Sequence, residues 1–303
     1  MHQNWLIGID LGGTKTEAIL LDRQSNEHFR KRVPTPAGDY RATLATIRAL
    51  VLDAEAAAGA TGLPVGIGIP GSVSGITGRI KNGNSTWING QPMQEDLCRL
   101  LQRPVTLTND ANCLALSEAT DGAGQSHKVV FAAILGTGCG AGISVNGQLL
   151  TGPNGVAGEW GHNPLAWTPQ AELEQRPCFC GRHGCNETFL SGTGLSLTHK
   201  LRHGQDSPAR EIAENGRQGD PQAGKTMHQY VEYLARGLAA VINVLDPDVM
   251  VLGGGMSNVE QIYRELPPRL ANYVFGGECR TPVVRAVHGD SSGVRGAAWL
   301  GIA

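Results

Sequence analysis

The chain opens on an apolar run, Trp5 to Asp10 in WLIGID, then a small polar turn, LGGTK, then a second apolar run, TEAILLD. Two strand-length runs joined by glycines predict a strand, a tight turn and a second strand. EHFRKRV is too charged to be covered on both sides and predicts an edge-like third strand. From Asp39 to Ala58 the pattern changes to Ala and Leu at helical spacing, with Asp39 to begin a helix and Gly59 to end it. VGIGI, Val65 to Ile69, is a short apolar strand stopped by Pro70-Gly71. PVTLTND predicts another strand, and Ala111 to Thr120 a helix after it. Strands followed by alternating strand and helix predict an α/β sheet.

The opening theme then returns. VVFAAILGTGCGAGISVNGQLL again reads strand, glycine turn, strand, with Asn146-Gly147 predicting a further hairpin. The shared layout predicts two halves built on one plan. Pro221 to Leu245 predicts a long helix, and DVMVLGGG a strand that runs into a third glycine cluster. Ser257 is placed to cap the next helix, which Pro267-Pro268 would interrupt. PVVRAV and a closing helix, Ser292 to Leu300, end the pattern.

Composition narrows the functions open to such a chain. With 303 residues there is length for about two domains. A formal net charge of −2 gives no electrostatic case for nucleic acid or an anionic membrane. No apolar run reaches the roughly 20 residues of a membrane helix. The start, MHQNWLIGID, lacks the features of a secretory signal, so a cytoplasmic address is expected. Thiols stay reduced there, and clustered cysteines point to metal or catalysis more than to disulfides.

A glycine turn between strands exposes backbone N–H groups and makes an anion site. Asp10 to Lys15, DLGGTK, adds a carboxylate that can hold Mg²⁺ through water and a Thr14 hydroxyl that can donate to a phosphate. Gly136, Thr137 and Gly138 offer a second such turn, and Gly253 to Gly255 a third suited to the adenosine end of a nucleotide. Each taken alone is also what a plain hairpin needs. Together they predict a nucleotide clamped between two lobes. Asp110, in NDAN at a strand's carboxyl end, is either a helix cap or a general base. Cys178, Cys180 and Cys185, spaced C-x-C-x₄-C, lie downstream of His162, and three thiolates with an imidazole make a tetrahedral Zn²⁺ site. His183 competes with His162 for the fourth position. A redox pair or three idle thiols are the other readings, although the C-x-x-C spacing of a redox centre is absent. With His162 as ligand, Glu159 and Glu187 are drawn toward one place, and the metal staples a sugar pocket without doing chemistry.

IGIDLGGTK, GIPG, NDAN, LGTGCGAGISVNGQLLTGPNGVAGEWGH, CFCGRHGCNETFLSG and LGGGMS together resemble the ROK family of sugar kinases and repressors along nearly the whole chain. KNGNSTWINGQP, NDANCLALSEA, FGGEC and HGDSSGVRGAAWL look most like its bacterial fructokinases, including the manno(fructo)kinase type. The resemblance implies an actin-like ATPase (ribonuclease H-like) α/β fold of two lobes with a central cleft. Residues 1–118, joined by a C-terminal helix at about 291–303, would form the smaller lobe, and 119–290 the larger lobe with the zinc loop. It implies ATP- and Mg²⁺-dependent phosphorylation of a hexose 6-hydroxyl, fructose first and mannose or glucose tolerated, with a glucokinase or N-acetylglucosamine kinase as the alternative. A sugar-sensing repressor is the less favoured reading, because only nine residues precede Asp10, too few for a helix-turn-helix.

Residue by residue, Asp110 matches the family's catalytic base, which sets aside the cap as its only role. Asn84, Asn109, Glu159, His162 and Glu187 match sugar contacts. His162, Cys178, Cys180 and Cys185 match the ligands of a structural Zn²⁺. Asp10, Gly12, Gly13, Thr14 and Lys15 match the first phosphate segment, Gly136, Thr137 and Gly138 the second, and Gly254 and Gly255 the adenosine side. Asn186 stands where several relatives carry an apolar residue. The resemblance also implies a homodimer, with hexose and ATP as small-molecule partners.

Overall fold

A computed structural model describes residues 4–302, which form two compact units. The first takes in Met1–Gln125, Gly142–Ala157 and Asp290–Ala303, and the second Ser126–Ala141 and Gly158–Gly289. The first unit therefore claims a central stretch, Gly142–Ala157, that the sequence reading gave to the second lobe.

In the first unit, β1 (Trp5–Leu11), β2 (Lys15–Asp22), β3 (Glu27–Pro34), β4 (Val65–Ile69) and β7 (Val105–Asn109) make a sheet of order β3-β2-β1-β4-β7. A short ribbon of β5 (Ser72–Val73) and β6 (Ile80–Lys81) stands apart. β1 and β2 pair antiparallel from Trp5↔Asp22 to Leu11↔Thr16, while β4 runs parallel to both β1 and β7. The continuous apolar run of β1 is explained by burial on both faces. Ile7, Ile9 and Leu20 face α1 (Tyr40–Ala58) and α2 (Met93–Leu101). Leu6, Ile19 and Leu21 face α3 (Asp110–Asp121) and α10 (Ser292–Leu300). The strand glycines mark where α10 lies directly on the sheet. A Cβ on Gly8 would stand 2.1 Å from the Val294 oxygen, and one on Gly66 2.0 Å from the Ala297 oxygen. Only glycine admits that approach.

The second sheet, order β10-β9-β8-β11-β12, repeats the first sheet's plan. Its strands are β8 (Val129–Leu135), β9 (Cys139–Val145), β10 (Gln148–Leu149), β11 (Val249–Gly253) and β12 (Val283–Arg285). β11 runs parallel to β8 and β12. Asn146 and Gly147, with φ of 52° and 78°, turn the β9–β10 hairpin as expected. Helices α4 (Gln170–Glu174), α5 (Glu187–Leu190), α6 (Gly192–His203), α7 (Ala209–Arg217), α8 (Pro221–Leu245) and α9 (Glu260–Leu270) complete the order. Two expectations fail here. Ser257 lies inside a 3₁₀ turn, Gly255–Asn258, and Val259 is the residue that precedes α9. Pro267-Pro268 does not interrupt α9. The prolines fall in its last turn and remove the amide donors to the Tyr263 and Arg264 carbonyls, yet Ile262, Leu266 and Leu270 stay buried along one stripe and carry the helix through to Leu270. Among the described residues, no helix is long and apolar enough to cross a membrane.

Candidate active site

Within the first unit the structure brings Asp10 and Asp110 to one place. Asp10 is the penultimate residue of β1, and its carboxylate lies between Gly68 of β4 and Gly293 of α10: added Cβ atoms there would stand 3.7 Å and 3.2 Å from its oxygens. The residue keeps an edge open to solvent, but the carboxyl itself is enclosed. Burial, then the charges of Asp110 and Glu17, raise it to about 7, against the pull of Arg32. The cap of α3 is Asn109, whose Oδ1 accepts from the Asn112 amide at 2.7 Å. Asp110 is the exposed first residue of the helix, with Oδ1 accepting from the Ala111 amide at 2.8 Å. Cys113, one turn on, is wholly buried. Burial and the nearby Asp10 and Asp110 charges hold its thiol well above the ordinary range.

The first glycine turn is built for open amides. Gly12 donates to the Lys15 carbonyl at 2.9 Å, Thr35 Oγ1 donates to the Gly12 carbonyl at 2.8 Å, and Gly13, Thr14 and Lys15 are exposed. Sequence reading missed Ser85. It stands beside the exposed Asn84, its hydroxyl is buried without a hydrogen-bond partner, and a Cβ on Gly13 would come within 3.3 Å of it. The KNGN stretch drew attention to Asn84, and nothing in the sequence signals that its neighbour turns inward against the phosphate turn.

In the second unit the other two glycine turns meet. Gly254 has φ of 79°, and a Cβ there would lie 2.7 Å from the Leu135 carbonyl carbon and 3.0 Å from the Gly136 nitrogen. The turn at Gly136, Thr137 and Gly138 is braced by α6: the Gly192 amide donates to the Gly136 carbonyl at 2.7 Å, and Thr193 Oγ1 to the Thr137 carbonyl at 3.0 Å. Gly136, Thr137 and Gly255 line a cavity of about 1570 Å³ that extends between α6, α7, α8 and α9. Neither α6 nor α7 was read from the sequence, although Ser191 caps the start of α6 and Gly204, at φ 71°, ends it.

The thiols converge. The Sγ atoms of Cys178, Cys180 and Cys185 and a ring nitrogen of His162 all lie within 4.8 Å of one another, and His183 is not of their number. Cys178 Sγ is 3.6 Å from His162 Nδ1, and Cys180 Sγ 3.6 Å from Cys185 Sγ. A zinc tetrahedron with bonds of about 2.3 Å to sulfur and 2.0 Å to nitrogen has edges of about 3.6–3.8 Å, so these residues fit that ion. Gly181 and Gly184, at φ 85° and 72°, bend the knuckle, and Pro177 pairs with His183 across it. Glu187 links this cluster to the strand that follows the turn at 136–138. Its Oε2 accepts from the Cys139 amide at 3.0 Å, and its Oε1 lies 4.0 Å from Cys178 Sγ. Glu159 is exposed and joins His162 through the backbone, its carbonyl accepting from the His162 amide at 3.3 Å. Two further residues hold the loop. Asn186 Nδ2 donates to the Trp160 carbonyl at 2.9 Å. Arg176, 2% exposed, lies 4.0 Å over the Phe189 ring and donates to the Thr188 carbonyl at 2.7 Å.

Comparison with known proteins identifies the family. The ROK family profile matches residues 6–303. An N-acetyl-D-glucosamine kinase from Yersinia pseudotuberculosis is 40% identical over 300 residues, 98% of each chain. The crystal structure of a ROK hexokinase from Thermus thermophilus superposes with a TM-score of 0.87 at 31% identity, covering 98% of this chain and 97% of that one. A ROK family glucokinase from Streptomyces griseus, solved with glucose and AMPPNP, gives 0.78 at 29% identity over 98% of both. The chain belongs to the ROK family and has the α/β, actin-like fold expected of it.

Proposed function

We propose that the protein is an ATP-dependent kinase that phosphorylates the 6-hydroxyl of a hexose-type sugar, with N-acetylglucosamine as its preferred substrate. The observation that carries this is 40% identity along 98% of the chain to an N-acetyl-D-glucosamine kinase. Two abutting glycine turns at one wall of a nucleotide-sized cavity support it. The fructokinase motifs favour fructose instead, and that reading is the alternative.

In this mechanism Asp110 takes the proton from the sugar hydroxyl as that oxygen attacks the γ-phosphorus in line. Asn84, Asn109, Glu159, His162 and Glu187 hold the sugar. The amides of Gly13, Thr137 and Gly138, with the Thr14 and Thr137 hydroxyls, stabilise charge on the phosphoryl oxygens, beside Lys15, while the Gly12 and Gly136 amides close the turns on the Lys15 and Gly138 carbonyls. Gly254 and Gly255 admit the adenosine side. Asp10, whose carboxyl is raised to about 7 by burial and the nearby Asp110 and Glu17 charges, would hold Mg²⁺, which when bound neutralises phosphate charge. His162, Cys178, Cys180 and Cys185 would hold a structural Zn²⁺: four protein ligands would leave no open position, and the ion would fix the loop from which His162 and Glu187 reach the sugar. The active species is read as a homodimer.

Coupled assays with N-acetylglucosamine, glucose, mannose and fructose test the assignment. A higher kcat/KM for fructose than for N-acetylglucosamine returns the protein to the fructokinase reading. No sugar-dependent release of ADP sinks the kinase reading itself.

A further inference from the structure

The α8 and α9 side of the second unit's cavity carries a hydrogen-bonded group that none of these roles uses. His228, on α8, lines the cavity with its side chain 58% exposed. Its Nδ1 lies 2.8 Å from Glu265 Oε2 on α9, and Gln261 Nε2 stands 3.5 Å from the same ring nitrogen. Arg269 donates to that Glu265 oxygen at 3.0 Å. Burial works to raise the Glu265 carboxyl, but hydrogen bonds from His228, Gln261 and Arg269 outweigh it and hold the group below the ordinary carboxylate range. An ionised carboxylate only accepts. His228 Nδ1 therefore carries the hydrogen, and in the neutral ring Nε2 is left as an acceptor.

The glycine turn at 136–138 takes the phosphates and Gly254 and Gly255 admit the adenosine side, which leaves the helix-lined part of the cavity beyond them to the base. An acceptor there favours a base that offers an amino group and opposes one that offers a carbonyl oxygen. We propose that His228 reads the nucleobase: its Nε2 accepts from the exocyclic amine of adenine, and Glu265 is the positioning residue that fixes the tautomer. Hypoxanthine, which differs by a carbonyl oxygen in place of that amine, would set lone pair against lone pair. The inference rests on the reading that this cavity holds the nucleotide.

The test is calorimetric binding of ADP and IDP to the full chain without sugar, so that the choice of hexose plays no part. Wild-type protein should bind ADP roughly tenfold more tightly than IDP, the worth of one good hydrogen bond and one avoided clash. His228→Ala should weaken ADP by roughly fivefold and change IDP by less than about twofold. His228→Gln, which returns an acceptor at the reach of Nε2, should recover part of the preference. Glu265→Ala removes the acceptor from Nδ1, lets the ring hydrogen move to Nε2 and should narrow the gap. His228→Ala that weakens ADP and IDP alike, or neither, overturns the inference while the nucleotide cavity stands. Wild-type protein that binds neither nucleotide overturns both.

Discussion

Asn and Asp stand side by side at positions 109 and 110, and both are residue types that begin helices. The sequence left the cap and the base entangled for that reason. The structure separates them: Asn109 caps, and Asp110 is the exposed next residue. Asp110→Asn should therefore melt as the wild type does while kcat falls by about 10²–10⁴-fold. An unchanged kcat in steady-state assays would remove Asp110 from the chemistry. Asp10 makes a prediction about pH. Its carboxyl has an ordinary value of 3.8 and titrates at about 7 when folded, so the folded state holds the proton more tightly. An acid raised in this way weakens the fold as pH climbs from the lower value to the upper, and adds nothing further above it. The N-terminus of α10, beside the Asp10 carboxylate at Gly293, favours the ionised form and moderates the slope. Denaturant midpoints of metal-free protein should decline across that window, and Asp10→Asn should flatten the decline.

At the scale of elements, legibility followed locality. Strands β1, β2, β4 and β8, helices α1 and α8, and the hairpin at Asn146-Gly147 were readable because their signals lie within a few residues: apolar runs, a capping Asp, a helix-ending Gly. Helices α6 and α7 escaped because their apolar residues are sparse, α7 burying only Ile212; α2 is short, but its Met93, Leu97 and Leu101 stripe was there to be read. Two of these missed helices line the large cavity of the second unit, so that candidate site was legible at its glycine turns and not at its walls. VGIGI is the opposite case. The pattern identified a strand, but only the fold explains its glycines, which let the backbone of α10 rest on β4. Gly66→Ala should lower stability by about 1–3 kcal/mol or more, since the methyl meets a carbonyl oxygen and not a movable side chain. Thermal melting of the variant checks this, and a melting temperature equal to wild type would mean that α10 sits farther from the sheet.

Across the whole molecule, the four-ligand cluster was legible as a set of residue types, and its closure was not, because His162 and His183 are equally good imidazoles until the chain is folded. Removing zinc with a chelator should lower both the melting temperature and sugar turnover, and metal analysis should find one zinc per chain. Zinc-free protein with full activity would contradict that. Arg176→Ala should loosen the same loop without touching a ligand. The lost ring stacking and the space left behind cost roughly 3 kcal/mol, and zinc should then leave faster under chelation. The first unit is assembled from three separate stretches of chain, and the last of them, α10, is buried at every position from Val294 to Leu300. That arrangement sets a timetable for synthesis. β1 and β4 emerge early, yet the helix that covers their glycine face is made ~220 residues after β4. At roughly 5–20 residues per second, that face waits tens of seconds for its cover on the ribosome. The nascent chain therefore carries a bare sheet for most of its translation, and this enzyme's yield in the cell should depend on whatever shields that sheet until the final helix arrives.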